Sequence, residues 1–105
     1  MAILARRVTI GGVIRSFADD ATRKVFDRER VARFGHDLQR MAHRKLLLIE
    51  AADELNDLRV PPGNRLEALR GDRAGQHSIR VNDQYRICFR WTSTGAEDVE
   101  IVDYH

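Results

Sequence analysis

The C-terminal tip, Asp103-Tyr104-His105, offers a carboxylate, a phenol and an imidazole in succession. Each can move or orient a proton. Val99-Glu100-Ile101-Val102, just before them, reads as a strand that would hold them in fixed geometry; a frayed polar tail is the competing reading. The matching cations lie in the middle of the chain. From Arg59 to Arg90 there are seven arginines (59, 65, 70, 73, 80, 86, 90) against Glu67, Asp72 and Asp83. Arginine presents a planar fork that fits a phosphate bidentately, whereas lysine is a point charge. A cationic middle and an anionic end suit a site that grips a polyanion and also needs a proton acceptor.

The elements that must position these groups follow from periodicity. Tyr85 to Trp91 alternates as a strand: Tyr85, Ile87, Phe89 and Trp91 face one way, and Arg86, Cys88 and Arg90 the other. The apolar side must bury against helices, which puts Arg86 and Arg90 on a wetter face with Ser78 or Arg80. Two guanidiniums on one strand face repel unless an anion joins them. Glu97, Glu100 or Asp103 on the next strand could instead supply cross-strand pairing. Arg65 to Arg70, Gln76 to Val81 and Glu97 to Val102 also read as strands, with turn residues between neighbours, so pairing should be antiparallel. Gly71 and Gly75 flank Asp72-Arg73-Ala74 and would let that loop approach a phosphate, although it lacks the Gly-Lys-Ser/Thr of a P-loop.

Ahead of the strands, Val13 to Phe17 reads as a short extended segment. Asp19 or Asp20 caps a short helix through about Phe26, with Thr22, Lys24 and Asp27 toward water. A longer helix is expected over Asp37 to Asp57, its stripe formed by Leu38, Met41, Leu48, Ala52 and Leu55 and widened by Ile49. Pro61-Pro62-Gly63-Asn64 would stop it. The stretch from Arg23 to Lys45 carries eight cations, by default a solvated face. Helices first and a meander second predict an α+β domain, two N-terminal helices on one face of a mainly antiparallel sheet of about four to five strands.

Composition bounds the class. At 105 residues the chain has room for one core, and 43% hydrophobic with 32% charged residues suits a folded, non-membrane protein. No apolar run approaches the roughly 18–20 residues of a spanning helix. Residues 1–12 are expected to be an extended start or a flexible arm without signal-peptide character, and 13–105 a single domain. The lone Cys88 fits a reducing cytoplasm. Net charge is only +2, yet 16 of the 18 basic residues are arginine, an excess that a GC-rich genome explains in part. His36, His43, His77 and His105 do not occur at metal-ligand spacings, so no metal is expected.

The continuous block from Pro61-Pro62-Gly63-Asn64-Arg65-Leu66-Glu67 through Arg70-Gly71-Asp72-Arg73 to Gln84-Tyr85-Arg86-Ile87-Cys88-Phe89 resembles the HigB branch of the RelE/ParE superfamily of bacterial toxins. Val99 to His105 is similar to that family's ending and Ile14 to Asp19 to its beginning, so the resemblance spans roughly residues 13–105. It implies a RelE-like fold and a toxin of a type II toxin–antitoxin pair that cleaves messenger RNA in the ribosomal A site without metal or cofactor. It also implies a HigA-like helix-turn-helix antitoxin as partner, contact with operator DNA only through that complex, and no membrane. Carried over, the active-site arginine falls on Arg86 and the terminal acid, phenol and imidazole on Asp103, Tyr104 and His105. Arg70 stands where the family often has lysine, and Glu67 where some members have histidine. The general base is therefore open among Glu67, Asp103 and His105.

Such chemistry needs an acceptor for the 2′-hydroxyl proton, cations for the phosphorane and a donor for the leaving 5′-oxygen. Arg86 would serve the phosphate and Tyr104 a nucleotide. Arg70 and Arg73 would grip RNA, with Glu67, Arg80 and Arg90 along the same path. ParE-like relatives, which poison DNA gyrase and cleave no RNA, are the alternative reading, and a plain RNA-binding domain a third.

Overall fold

The computed structural model describes residues 12–104. His105 and all but Gly12 of the expected N-terminal arm lie outside the described residues. Two helices precede a four-stranded antiparallel sheet, as the pattern of helical and then alternating segments predicts. Helix α1 spans Asp20–Phe26. Asp19 caps it, its Oδ1 accepting from the Thr22 N–H at 2.9 Å. Thr22, expected to face water, is fully buried. Its hydroxyl accepts from the Ile101 N–H at 3.0 Å, satisfying a donor on the last strand that a solvent-facing side chain could not reach.

Helix α2, His36–Ala51, is shorter than expected. The Asp57 carboxylate accepts from the N–H groups of Asp53 (2.9 Å) and Glu54 (3.1 Å), diverting backbone donors from a continuing helix. The chain then makes a 3₁₀ turn at Leu55–Arg59, well before the prolines act. Ala42, Leu46 and Ile49 form the buried centre of the stripe; Leu38, Met41 and Leu48 flank it half-buried.

A further 3₁₀ turn at Pro62–Asn64 leads to Arg65, whose left-handed backbone (φ 48°, ψ 56°) interrupts the strand expected from that residue. Strand β1 is consequently only Glu67–Ala68. β2 (His77–Arg80), β3 (Tyr85–Thr92) and β4 (Gly95–Asp103) follow in sheet order β1-β2-β3-β4. Val13 to Phe17 forms no full strand: Ile14 and Phe17 make isolated parallel bridges to Ala96 and Val99. The buried Glu50 carboxylate anchors that segment, accepting from the Ile14 N–H at 2.9 Å.

Ile79, Ile87, Phe89 and Val99 on the sheet's inner face pack with Val25, Leu46 and Ile49 of the helices. Each such side chain, fully buried, stabilises the fold by roughly 1.5–3 kcal/mol. This layer backs one side of the sheet; Glu67, Ser78 and Arg86 stand on the other.

Candidate functional site

The register aligns Glu67, Ser78, Cys88 and Glu100 in one row across the outer face, with Arg80, Arg86 and Val102 in a neighbouring row. This face is drier than alternation alone predicts. Ser78 and Cys88 are both fully buried. Long polar side chains fold over the plate and cover them, their stems serving as a thin second layer.

Arg86 is the most constrained of these, its side chain only 12% exposed. Its Nε donates to Ser78 Oγ at 2.7 Å. Nη2 donates to the Arg65 carbonyl at 2.7 Å and the Ser78 carbonyl at 3.3 Å. Glu67 Oε1 lies 3.5 Å from Nη2, an ion pair at the limit of hydrogen bonding. The Tyr104 ring stands over the guanidinium, 5.9 Å from Cζ to centroid. The Tyr104 N–H is fixed by the Gln84 carbonyl at 2.7 Å.

Burial, then the neighbouring Cys88 thiol, raises the pKa of the Tyr104 phenol, so it is a proton donor rather than a base at neutral pH. Burial likewise raises the Cys88 pKa against the opposing pull of Arg73, leaving the thiol protonated and a poor nucleophile. Arg73 donates to Gln76 Oε1 (3.0 Å) and Glu100 Oε1 (3.1 Å). Burial alone would lower its pKa; the hydrogen bond and charge of Glu100, together with Cys88 and Tyr104, outweigh that and the net shift is upward.

Together Gly63, Arg65, Glu67, Arg80, Arg86 and Tyr104 line an open groove of about 660 Å³. Arg80 sits directly across from Arg86, with its guanidinium turned to Asp83. That pairing keeps two like charges in adjacent strands from facing each other unscreened.

The remaining expected site residues lie elsewhere. Arg70 is exposed at the start of the Gly71–Arg73 turn. Arg90 lies about 13 Å along the strand from Arg86, opposite Glu97 and beyond a bulge. Its Nη1 occupies the space beside Gly75, where an added Cβ would come within 2.9 Å. Asp103 pairs with Tyr85 and alternates with Val99 and Ile101, which directs it to the helix side of the sheet. Its carboxylate accepts from Gln84 Nε2 at 3.1 Å. Arg86, Glu67, Arg80 and Tyr104 are thus brought together, Arg73 is adjacent, and Asp103 is not among them. His105 is outside the described residues.

Sequence reasoning missed Asn64 and the Arg65 carbonyl, and offered Ser78 only as an alternative to Arg80 on the Arg86 face. Its hydrogen bond to Arg86 was hidden because it depends on the β2–β3 register. Asn64 sits in a turn-forming run and gives no sign that its side chain is fully buried. No group of His, Cys, Asp and Glu among the described residues could hold a metal ion, and no helix among them is long and apolar enough to cross a membrane.

Comparison with known proteins fits this geometry. A stretch of 48 residues is 56% identical to Toxin HigB-1 of Vibrio cholerae, covering 46% of this chain and 50% of that protein. Another comparison, 44% identical over 55 residues, is with an uncharacterized protein of Haemophilus influenzae (52% of this chain, 54% of that one). The chain spans about half the length of the curated relatives it matches. The family model for the RelE-like toxin of type II toxin–antitoxin system HigB matches residues 15–105, nearly the whole chain, and the protein belongs to that HigB-like toxin family.

Proposed function

We propose that residues 13–105 form one toxin domain that cuts messenger RNA in the ribosomal A site, without metal, and is neutralised by a HigA-like helix-turn-helix antitoxin. Operator DNA would be met only through the toxin–antitoxin complex. Arg86 carries this reading: a buried-stem guanidinium, already oriented, lining a groove wide enough for a nucleotide and flanked by a carboxylate and an aromatic ring. In the reaction the 2′-oxygen attacks the adjacent phosphorus, the P–O5′ bond breaks, and a 2′,3′-cyclic phosphate and a 5′-hydroxyl result. The 2′-hydroxyl proton passes to a base and the 5′-oxygen receives one from an acid.

Glu67 is the carboxylate beside Arg86 and the favoured base; a protonated Tyr104 or His105 would supply the leaving oxygen. Asp103, on the sheet's other side, is better suited to holding the terminal segment. Arg86 would stabilise the phosphorane through charge-assisted hydrogen bonds of about 1.5–3 kcal/mol each. Arg80, Arg70 and Arg73 would follow the RNA backbone, with Arg90 at its margin, and splaying of the codon by the ribosome would add positioning.

The test is a brief pulse of expression with mapping of mRNA 5′ ends, beside cleavage of mRNA on purified, programmed ribosomes. New 5′-hydroxyl ends within translated codons are expected. Growth arrest with altered DNA supercoiling and intact mRNA would replace this reading with gyrase inhibition.

A further inference from the structure

We propose that Ser78 and Asn64 are positioning residues for Arg86, a two-sided clamp that leaves only the Nη1 edge of its guanidinium free for the RNA phosphate. The use of that edge rests on the function proposed above; the clamp itself does not. On one side Ser78 is fully buried on β2, in register with Glu67 and Cys88, and cannot shift without breaking the sheet. Its hydroxyl and carbonyl oxygens hold Nε and Nη2.

On the other side the Arg65 carbonyl holds Nη2. That carbonyl is aimed by a left-handed backbone that a non-glycine residue adopts only when its surroundings demand it. Asn64 makes the demand. Its fully buried amide donates to the Leu58 carbonyl (3.1 Å) and the Val60 carbonyl (3.3 Å), and its Oδ1 accepts from Lys45 Nζ. Helix α2 therefore braces the turn that braces the arginine. Among the described residues Nη1 has no hydrogen-bond partner.

Free rotation of a strand arginine would spread its donors over many directions; holding Nε and Nη2 leaves one direction for Nη1. The clamp thus converts a flexible cation into a single donor of fixed direction, the kind of preorganisation on which phosphorane stabilisation depends.

The test compares Ser78→Ala, Ser78→Thr and Asn64→Asp in the full chain, with Arg86→Lys used to assign the Arg86 Nε–H resonance. In the wild type that proton should exchange slowly with water. Ser78→Ala should speed exchange about tenfold or more, and Ser78→Thr, which keeps the hydroxyl, should restore protection. In ribosome-dependent cleavage Ser78→Ala and Asn64→Asp should lower kcat by about 10- to 100-fold with KM little changed. Equal Nε–H exchange in wild type and folded Ser78→Ala overturns the clamp, as does unchanged kcat where the wild type cleaves. If the wild type cleaves nothing, the nuclease reading fails and the exchange measurement still decides the clamp.

Discussion

Replacing Arg86 tests the function at its centre, and the structure sets the size of the effect. Nε and Nη2 are taken by Ser78 and Arg65, so the two Nη1 hydrogens and the net charge are left for the phosphate. One charge-assisted bond at about 1.5–3 kcal/mol of transition-state stabilisation amounts to roughly 10–10² in rate, to which the net charge adds. Arg86→Ala removes the phosphate contact and orphans the buried Ser78 hydroxyl, costing about 1–3 kcal/mol of stability, whereas the exposed Arg65 carbonyl can turn to water. Arg86→Lys is the cleaner probe. Its ammonium keeps the charge but cannot bind Ser78 Oγ, the Arg65 carbonyl and a phosphate in the same planar arrangement. Single-turnover cleavage on programmed ribosomes, beside thermal melts, should show Arg86→Lys folded and at least tenfold slower, and Arg86→Ala slower still. Wild-type cleavage by either folded variant would refute the assignment, and with it the role of the groove.

Three other outcomes follow from the same geometry. Glu67→Gln should lower kcat by about 10²–10⁴-fold if Glu67 is the base; an unchanged rate, with loss in a variant lacking residue 105, would move that role to the terminus. Arg70→Ala should flatten the slope of log affinity for RNA against log salt by about 0.7–1, whereas Arg73→Ala should change the slope less, because Arg73 already faces Glu100. Equal slopes for the two variants would contradict that pairing. Cys88 and Tyr104 both have raised pKa values, so above about pH 8.5, the ordinary thiol value, the unfolded chain releases protons before the folded one and stability should decline as pH rises. Urea melts from pH 7.5 to 10.5 should show that decline reduced in Cys88→Ala and Tyr104→Phe; identical slopes in all three proteins would count against coupling of the buried thiol to the phenol.

The fold was legible where one residue's neighbours decide its conformation. Asp19 at the start of α1, the alternation through Ile87 and Phe89, and the turn residues between strands all act locally, and each element formed. What stayed hidden depends on partners distant in sequence. The early end of α2 turns on the Asp57 side chain competing for backbone donors, and burial of Thr22 on an unpaired N–H of β4. Arg86 was readable because an arginine alternating with core residues must emerge on the outer face. The dryness of that face was not, since Cys88 and Ser78 are covered by side chains arriving from β1, β3, the Gly71–Arg73 turn and the chain's end.

The tip of the chain makes the same point. Asp103, Tyr104 and His105 looked like one constellation because they are consecutive, but consecutive strand residues point to opposite faces. Alternation sends Tyr104 over Arg86 and Asp103 toward Gln84, so adjacency in sequence separates the acid from the phenol. Glu67, far away in sequence, arrives beside Arg86 because β1 pairs with β2 and β2 with β3. A site built on a sheet's outer face draws its members from every strand at one register level. Glu67, Ser78, Arg86 and Tyr104 meet on those terms, and moving β2 by one residue would turn Ser78 away and release the arginine.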